Sequence, residues 1–464
     1  MKRQLSPVND RLFVAFLTLL IWVPLPWASN RVFAWSLMEM AVFVIAMIWL
    51  WQYHQGKRVL TPAFRKARPV LIILAVWLVY TGFQVLPMPP QWVLFISPES
   101  NAIHALVAEA NAEPLTRWIT ISVAPDVTSQ AFVKSVAYAL FFALTLLLVS
   151  SRTKLKWLAY SVVAAGTFQA LYGIFMVLSG LEYGFFLEKS GFRGVVTGTF
   201  INRNNQANFL TLCMAVGVGL LLAQLNERSG RSWRAILRSL FDWALSSKMR
   251  VRFMLMVMAV ALVMTHSRMG NTAFFLSLLI AGVISIILSK RSSRSAVMLL
   301  TSLVIIDLMI IGSMVGMDKV VERIEHTSVE TENRDEVADD TLTYWSDYRW
   351  FGSGLGTYYT TYPRYRSEAV NGFYNHAHND YLEMLAEVGL VGVALLGLLI
   401  IATIWIVFSV LLKRRDPWCR AFAFSALMSI CAISLHATVD YNLQIPANSI
   451  YFMVVLALAW VAFG

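Results

Sequence analysis

What most constrains this chain is a repeated pattern of apolar runs about twenty residues long, enough for a helix to cross the hydrocarbon core of a bilayer. Twelve such runs can be read, near 11–28, 33–52, 69–87, 131–149, 157–179, 205–224, 251–266, 270–289, 296–316, 388–411, 419–438 and 447–463. Composition agrees. Of 464 residues, 58% are hydrophobic and only 14% charged, where a soluble domain carries about 25% charged residues. Mean hydropathy is +0.62. The expectation is an all-α integral membrane protein of about twelve transmembrane helices, a single polytopic membrane domain over 1–464 with no internal repeat. No cleavable signal peptide is expected, since Met1-Lys2-Arg3 precedes an apolar run and only Trp27-Ala28-Ser29 offers a weak cleavage site.

The net charge of +11 invites a nucleic-acid reading, but the placement of the charges argues against it. With the N-terminus on the cytoplasmic side and the spans alternating, the loops at 53–68, 225–252 and 412–420 collect Lys57, Arg58, Arg65, Lys66, Arg68, Arg228, Arg231, Arg234, Arg238, Lys413, Arg414 and Arg415. Most acids fall on the other side or in spans. This is the positive-inside distribution. It places both termini in the cytoplasm and excludes a nucleic-acid partner in favour of the lipid bilayer. Cys213, Cys419 and Cys431 all lie in predicted spans with no CxxC spacing, which argues against a disulfide framework and a zinc site.

Two loops stand out on the non-cytoplasmic side. The first, about 88–130, opens Pro87-Met88-Pro89-Pro90 and holds Trp92 and Phe95, which suit an interface. The second, 317–387, lies between the ninth and tenth spans and carries fourteen acids against six bases. Its aromatics (Tyr344, Trp345, Tyr348, Trp350, Phe351, Tyr358, Tyr359, Tyr362, Tyr365) predict that it folds, either packing on itself or offering ring faces to sugars. Asp318–Ile324 reads as a short helix and Glu330–Asp340 as the mobile part.

Three polar clusters share that side. Asn202, Arg203 and Asn204 lead into the sixth span, with Arg193 upstream. His266-Ser267-Arg268 forms the tight connection between the seventh and eighth. His376-Ala377-His378-Asn379-Asp380 enters the tenth. Ionisable groups at membrane depth are costly, so they point to function. Arg193, Arg203 and Arg268 can clamp an anion such as phosphate, because guanidinium is planar, forked and always charged; snorkelling to headgroups is the alternative. Asn202 and Asn204 either cap the sixth span or touch substrate. His376 and His378 titrate near neutrality, which suits a general base. Asn379 or Asp380 can cap the tenth span, with Glu383 completing a capping box. Metal binding by the two histidines lacks a third ligand. His266 is a secondary candidate. His436 and Asp440 flank the end of the eleventh span near Tyr441. His54 and His104 read as ordinary loop residues, and His326 sits in the acidic loop. Glu39 and Asp307 fall inside spans and are best explained by polar packing.

The ordered motifs Gly198-Thr199-Phe200-Ile201-Asn202-Arg203-Asn204-Asn205-Gln206-Ala207, Ser267-Arg268-Met269-Gly270, Gly352-Ser353-Gly354-Leu355-Gly356-Thr357-Tyr358, His376–Leu382 and Glu387–Gly392 resemble the O-antigen ligase family, over roughly 190–450. His436–Ala447 also looks typical of one of its branches. The resemblance implies a GT-C-like membrane fold in the bacterial inner membrane with a periplasmic active site. It implies metal-independent, inverting transfer of a glycan, without a cofactor, from undecaprenyl diphosphate to the lipid A-core of lipopolysaccharide. Polymerisation of O-antigen or O-linked protein glycosylation would use the same donor. The resemblance carries a catalytic histidine onto His378, with His376 or Asp380 orienting it, and diphosphate-binding arginines onto Arg268 and Arg193. Outside the family, a polysaccharide transporter is the remaining alternative.

Overall fold

The computed structural model describes residues 10–112, 118–225, 247–288, 301, 328–370 and 372–464. Every predicted span except 296–316 coincides with a helix. In chain order these are α1 (Arg11–Trp22), α2 (Val32–His54), α3 (Pro62–Lys66), α4 (Arg68–Gln84), α5 (Pro90–Ile96), α6 (Pro98–Ala110), α7 (Pro125–Leu148), α8 (Arg152–Ser179), α9 (Arg203–Leu225), α10 (Ser247–Met264) and α11 (Arg268–Leu288). Then come α12 (Ser328–Asp347), α13 (Tyr358–Thr361), α14 (Asp380–Lys413), α15 (Pro417–His436) and α16 (Pro446–Phe463). Between α8 and α9, β1 (Tyr183–Gly184) and β2 (Leu187–Glu188) form a small antiparallel hairpin. Among the described residues, eight helices are long and apolar enough to cross a membrane; α1 and α4 are shorter apolar helices. The span at 296–316 with Asp307, the reading of Asp318–Ile324 as a helix, His326, and the arginines at 228–238 lie outside the described residues.

The helices start where the sequence supplies caps. Asp10, Ser151, Asn379 and Asp416 each accept backbone N–H bonds from the first turn of α1, α8, α14 and α15, answering donors that a helix start leaves open. The most central helix is α9, buried over 94% of its apolar window, against 33% for α11 and α14. It packs on α8, α10, α11, α15 and α16. Lipid is as apolar as leucine, so burial does not drive such packing; close van der Waals fit and internal polar bonds do.

The two ends of the bundle differ in chemistry. At one end Asp10, 2% exposed, pairs with Arg58 at 2.6 Å and Lys154 at 2.5 Å. Arg152 pairs with Asp416 beside it, and Arg414 and Lys66 bond the backbone at the C-terminus. At the other end α8, α14, α15 and α16 present Ser179, Asp380, His436 and Pro446, and the histidine clusters gather there.

Helix α14 is not continuous. Gly389 takes φ 60° and ψ −174°, a region that essentially only glycine occupies. A backbone break among buried helices leaves carbonyls that water cannot reach, and each must find a partner. Gln84 Nε2 donates to Phe351 O at 2.8 Å and to Glu387 O at 3.1 Å. Tyr80 Oη donates to Phe351 O at 2.9 Å and Val388 O at 2.5 Å. The turn-rich stretch 349–354 supplies the rest: Gly354 N donates to Glu387 O at 2.9 Å, and Leu390 N to Arg349 O at 3.0 Å. The contact is so close that a Cβ on Gly352 would lie 2.1 Å from Glu387 O.

Several expectations need correction. The stretch expected to be mobile, 330–340, belongs to α12. The capping box at α14 does not form: Asn379 alone caps the helix, and Asp380 and Glu383 bond elsewhere. His54 ends α2, and His104 sits on α6 with Nε2 at 3.0 Å from Thr120 O. The first loop contains two helices, α5 and α6. Glu39 is buried on α2, with Lys134 of α7 as its named opposite charge, and the Lys134 Nζ lies 3.6 Å above the Trp35 ring.

Gly389→Ala tests the break. Its Cβ would sit 2.3 Å from Trp350 O, and the backbone conformation alone costs about 1–3 kcal/mol. The variant is expected to insert but to melt several degrees lower in detergent; an unchanged melting temperature would contradict the account.

Candidate functional site

The segment before α14 is held by carboxylates. Side chains on a helix lean toward its N-terminus, so Glu383, one turn in, points back at residues 376–377. Its Oε2 accepts from Ala377 N at 2.9 Å, and Oε1 lies 2.7 Å from His376 Nδ1. Asp380, 3% exposed, binds in the other direction. Its N donates to Ala437 O at 2.9 Å and Asp440 O at 3.2 Å, and Oδ2 accepts from Leu443 N at 3.1 Å. Asp380 thus fastens the turn between α15 and α16 against the start of α14. That turn delivers Asp440, whose Oδ1 lies 3.5 Å from His378 Nδ1. The separation is long for a hydrogen bond and is read as an electrostatic pairing. The carboxylate beside His378 is therefore Asp440; of the two groups expected to orient it, Asp380 bonds Leu443 N and His376 faces Glu383. His378 itself takes φ 51°, uncommon for a side-chain-bearing residue.

Tyr441 ties the clusters together. Its ring stacks on His376 at 4.2 Å and meets the edge of His378 at 4.9 Å. Its hydroxyl accepts from Asn202 Nδ2 at 3.1 Å. The Asn202 side-chain oxygen in turn accepts from Asn204 N at 2.8 Å, so Asn202 acts both as a local cap and as a long-range tie. Asn448 on α16 donates to Asn205 O at 3.2 Å. Arg334 on α12 donates to Val439 O at 3.3 Å, bringing the long segment onto the same turn.

Electrostatics follow from this packing. Burial opposes the charged imidazolium of His376, but the Glu383 carboxylate outweighs it and holds the pKa above the usual histidine value. Burial likewise works against an ionised Asp440, yet His378 and His436 together bring its pKa below the usual carboxylate value. Several buried side-chain polar atoms at this end have no protein hydrogen-bond partner, among them Asn205 Oδ1, Asn442 Oδ1, Asn448 Oδ1 and Asp440 Oδ2. Buried polar groups without partners are costly, so the place suits a polar ligand.

The arginines are distributed around this centre. Arg203 opens α9, next to Asn202, with its guanidinium 5.6 Å from the Phe192 ring. Arg268 opens α11 and is exposed. Two residues on, a Cβ at Gly270 would lie 2.5 Å from Ala207 Cβ, which puts this helix start beside that of α9. His266 is exposed at φ 52° in the same connection, and Val196 N donates to Met264 O at 2.9 Å nearby. Arg193 sits further out: it pairs with Glu188 at 2.6 Å, both about 60% exposed. Its neighbour Phe192 links it to Arg203.

One hydrogen-bonded and ring-contacted network therefore contains His376, His378, Asn379, Asp380, Asn202 and Asn204, with Arg203 and Arg268 at adjoining helix starts. Sequence reasoning did not assign Glu383 to His376 or Asp440 to His378. In the sequence, Asp440 and Tyr441, sixty residues on, stand out only by their place at the end of the eleventh span, because nothing local says which carboxylate folds back. Gln84 and Tyr80 gave no signal, since their role depends on a backbone break they do not themselves encode.

No curated protein matches the chain. A family model described as O-antigen ligase does match, over residues 253–397. That stretch covers Ser267-Arg268, the Gly352–Tyr358 motif, both histidines and the Gly389 break. Over this segment the chain is similar to the O-antigen ligase family, in line with what its motifs implied.

Proposed function

We propose that the protein transfers an O-antigen-type glycan from undecaprenyl diphosphate to the lipid A-core of lipopolysaccharide, at the periplasmic face of the inner membrane and on a GT-C-like fold. The observation that carries this reading is the meeting of His378, Asp440, Tyr441 and Asn202 at one end of the bundle, with Arg203 and Arg268 at neighbouring helix starts. The opposite end carries Arg58, Lys154, Arg152, Lys66 and Arg414. The positive-inside rule supports a cytoplasmic reading of that end, with the histidines periplasmic and both termini inside.

In the proposed reaction His378 Nε2 takes the proton of an acceptor hydroxyl as that oxygen attacks the anomeric carbon. Asp440, facing Nδ1, steadies the imidazolium that forms. The bond from the anomeric carbon to the diphosphate oxygen breaks on the opposite face, which inverts configuration. Guanidinium groups at Arg268, Arg203 and, at the rim, Arg193 stabilise the negative charge that the departing diphosphate gathers. His376 is held by Glu383, which favours its charged form, and is stacked on Tyr441 beside the reacting centre. Extension of a glycan, or transfer to protein, uses the same donor and differs in acceptor alone. Deletion separates the cases: unattached lipid-linked polymer marks a ligase, single-repeat attachment a polymerase, and an under-glycosylated protein a protein-glycosylating enzyme. A transporter would give flux without a covalent product.

The direct test is purified protein in detergent with synthetic undecaprenyl-diphosphate sugar and lipid A-core; absence of any covalent product refutes the proposal. His378→Ala should lower turnover by about 10²–10⁴-fold, the usual worth of a general base, with donor binding retained. Asp440→Asn should fall in the same direction by a smaller factor. Arg268→Ala should weaken donor binding by about 10–100-fold, the worth of one charge-assisted bond; unchanged affinity and turnover would return Arg268 to headgroup snorkelling.

The His376–Glu383 pair predicts a pH signature. Its folded pKa is raised, so the pair's stabilisation is fully present below the unfolded histidine pKa of about 6.5 and is lost as pH rises through the folded value. The melting-temperature gap between wild type and Glu383→Gln should be widest at acidic pH and narrow toward alkaline pH. A gap independent of pH would mean that the carboxylate acts only through its bond to Ala377 N.

A further inference from the structure

The aromatic side chains between α12 and α14 divide into two sets. Tyr344, Tyr348, Tyr358 and Tyr362 are at most 2% exposed. They pack ring on ring, Tyr344 stacking on Tyr365 and Tyr358 on Tyr362, each at 5.0 Å. These rings form a core. Tyr359 and Phe373 do not join it: they remain 53% and 65% exposed, with their rings edge to face at 5.3 Å.

The backbone under Phe373 is held firmly. Val370 and Ala377, on either side, are both sunk in the tyrosine core. Arg366 donates to Gly372 O at 3.1 Å. A phenylalanine left in water on a pinned segment forgoes the burial that would stabilise it. The next residue, Tyr374, meets His378 edge-on at 6.0 Å. Tyr374 thus sets the segment that carries Phe373 beside the His378 imidazole.

We infer that Tyr359 and Phe373 form a stacking platform for a pyranose ring of a saccharide acceptor, setting one of its hydroxyls at His378. This rests on the glycosyl-transfer reading above. A pyranose ring has an apolar C–H face, which an aromatic face attracts by dispersion and through its negative quadrupole. Its rim of hydroxyls needs polar neighbours: Arg366 bonds the backbone next to Phe373, and Glu368 and Asn375, close by in sequence, are exposed. The same charged surround is unsuited to the acyl region of a bilayer, which argues for a sugar rather than lipid on these rings.

The test uses the full-length protein in detergent, synthetic undecaprenyl-diphosphate sugar as donor, and a core oligosaccharide as acceptor. Phe373→Ala and Tyr359→Ala remove exposed rings and leave the tyrosine core intact. Each should raise the acceptor KM about tenfold. Donor KM and the slow transfer of sugar to water, which needs no platform, should stay as in wild type, and Phe373→Trp should restore the acceptor KM. An unchanged acceptor KM overturns the platform. So does a parallel loss of donor affinity and water transfer, which would mark a structural role. A wild type that transfers nothing overturns both readings; a wild type that transfers normally beside unaffected variants overturns this one alone.

Discussion

A helix broken within a membrane bundle can stand only if its freed carbonyls are answered by protein. Everything at the functional end follows from how this chain meets that demand at Gly389. The stretch 349–354 lies against 386–391, and Tyr80 and Gln84 reach across from α4 to close the remaining bonds. Because the contact is backbone to backbone, the start of α14 cannot slide or turn relative to the tyrosine-rich segment. The two glycine-bearing motifs, far apart in sequence, are therefore two halves of one joint.

That joint fixes the direction of the residues preceding α14. Glu383 faces back and holds His376; Asp380 faces sideways and holds the turn at 437–443. The turn then returns Asp440 to His378 and lays Tyr441 between the two imidazoles. Each carboxylate has a separate task, which explains why three acids within reach of two histidines do not act as interchangeable charges. Asn202, bonded to Tyr441, extends the arrangement to the start of α9, the most enclosed helix, and so to the place where Arg203 begins.

Hydropathy alone locates the long apolar helices, because twenty-residue apolar runs have few other uses, but not α3, α5, α6, α12 or α13. It also placed the polar clusters at helix starts. Hydropathy alone starts α14 near 388, since a polar first turn packed on protein looks like loop in such a trace; the capping residue Asn379 is what signals the start at Asp380. Nor does hydropathy separate the aromatic residues of the long segment. Tyr358 and Tyr359 are adjacent and chemically identical, yet one is buried and the other open. Only the fold tells them apart. The pairing of His378 with Asp440 was likewise beyond local reading, because Asp380, two residues away, is the nearer carboxylate in sequence and the wrong one in space.

The division of aromatic residues has a mechanical reason. A polar segment of this length has little aliphatic content from which to build a core, so it uses tyrosine, whose rings pack while their hydroxyls find partners. Tyr344 bonds Ser353, and Tyr358 bonds Thr341 at 2.8 Å. Such a core is stiff, and stiffness is what an acceptor site over a membrane needs. A sugar hydroxyl must be held within hydrogen-bond reach of an imidazole that is itself fixed by the bundle below. The segment is anchored to that bundle through the Gly352–Gly389 contact and through Arg334 to Val439. Acceptor-facing and donor-facing surfaces are thereby referred to the same turn, 437–443, and a small set of buried polar bonds there determines whether the two substrates meet.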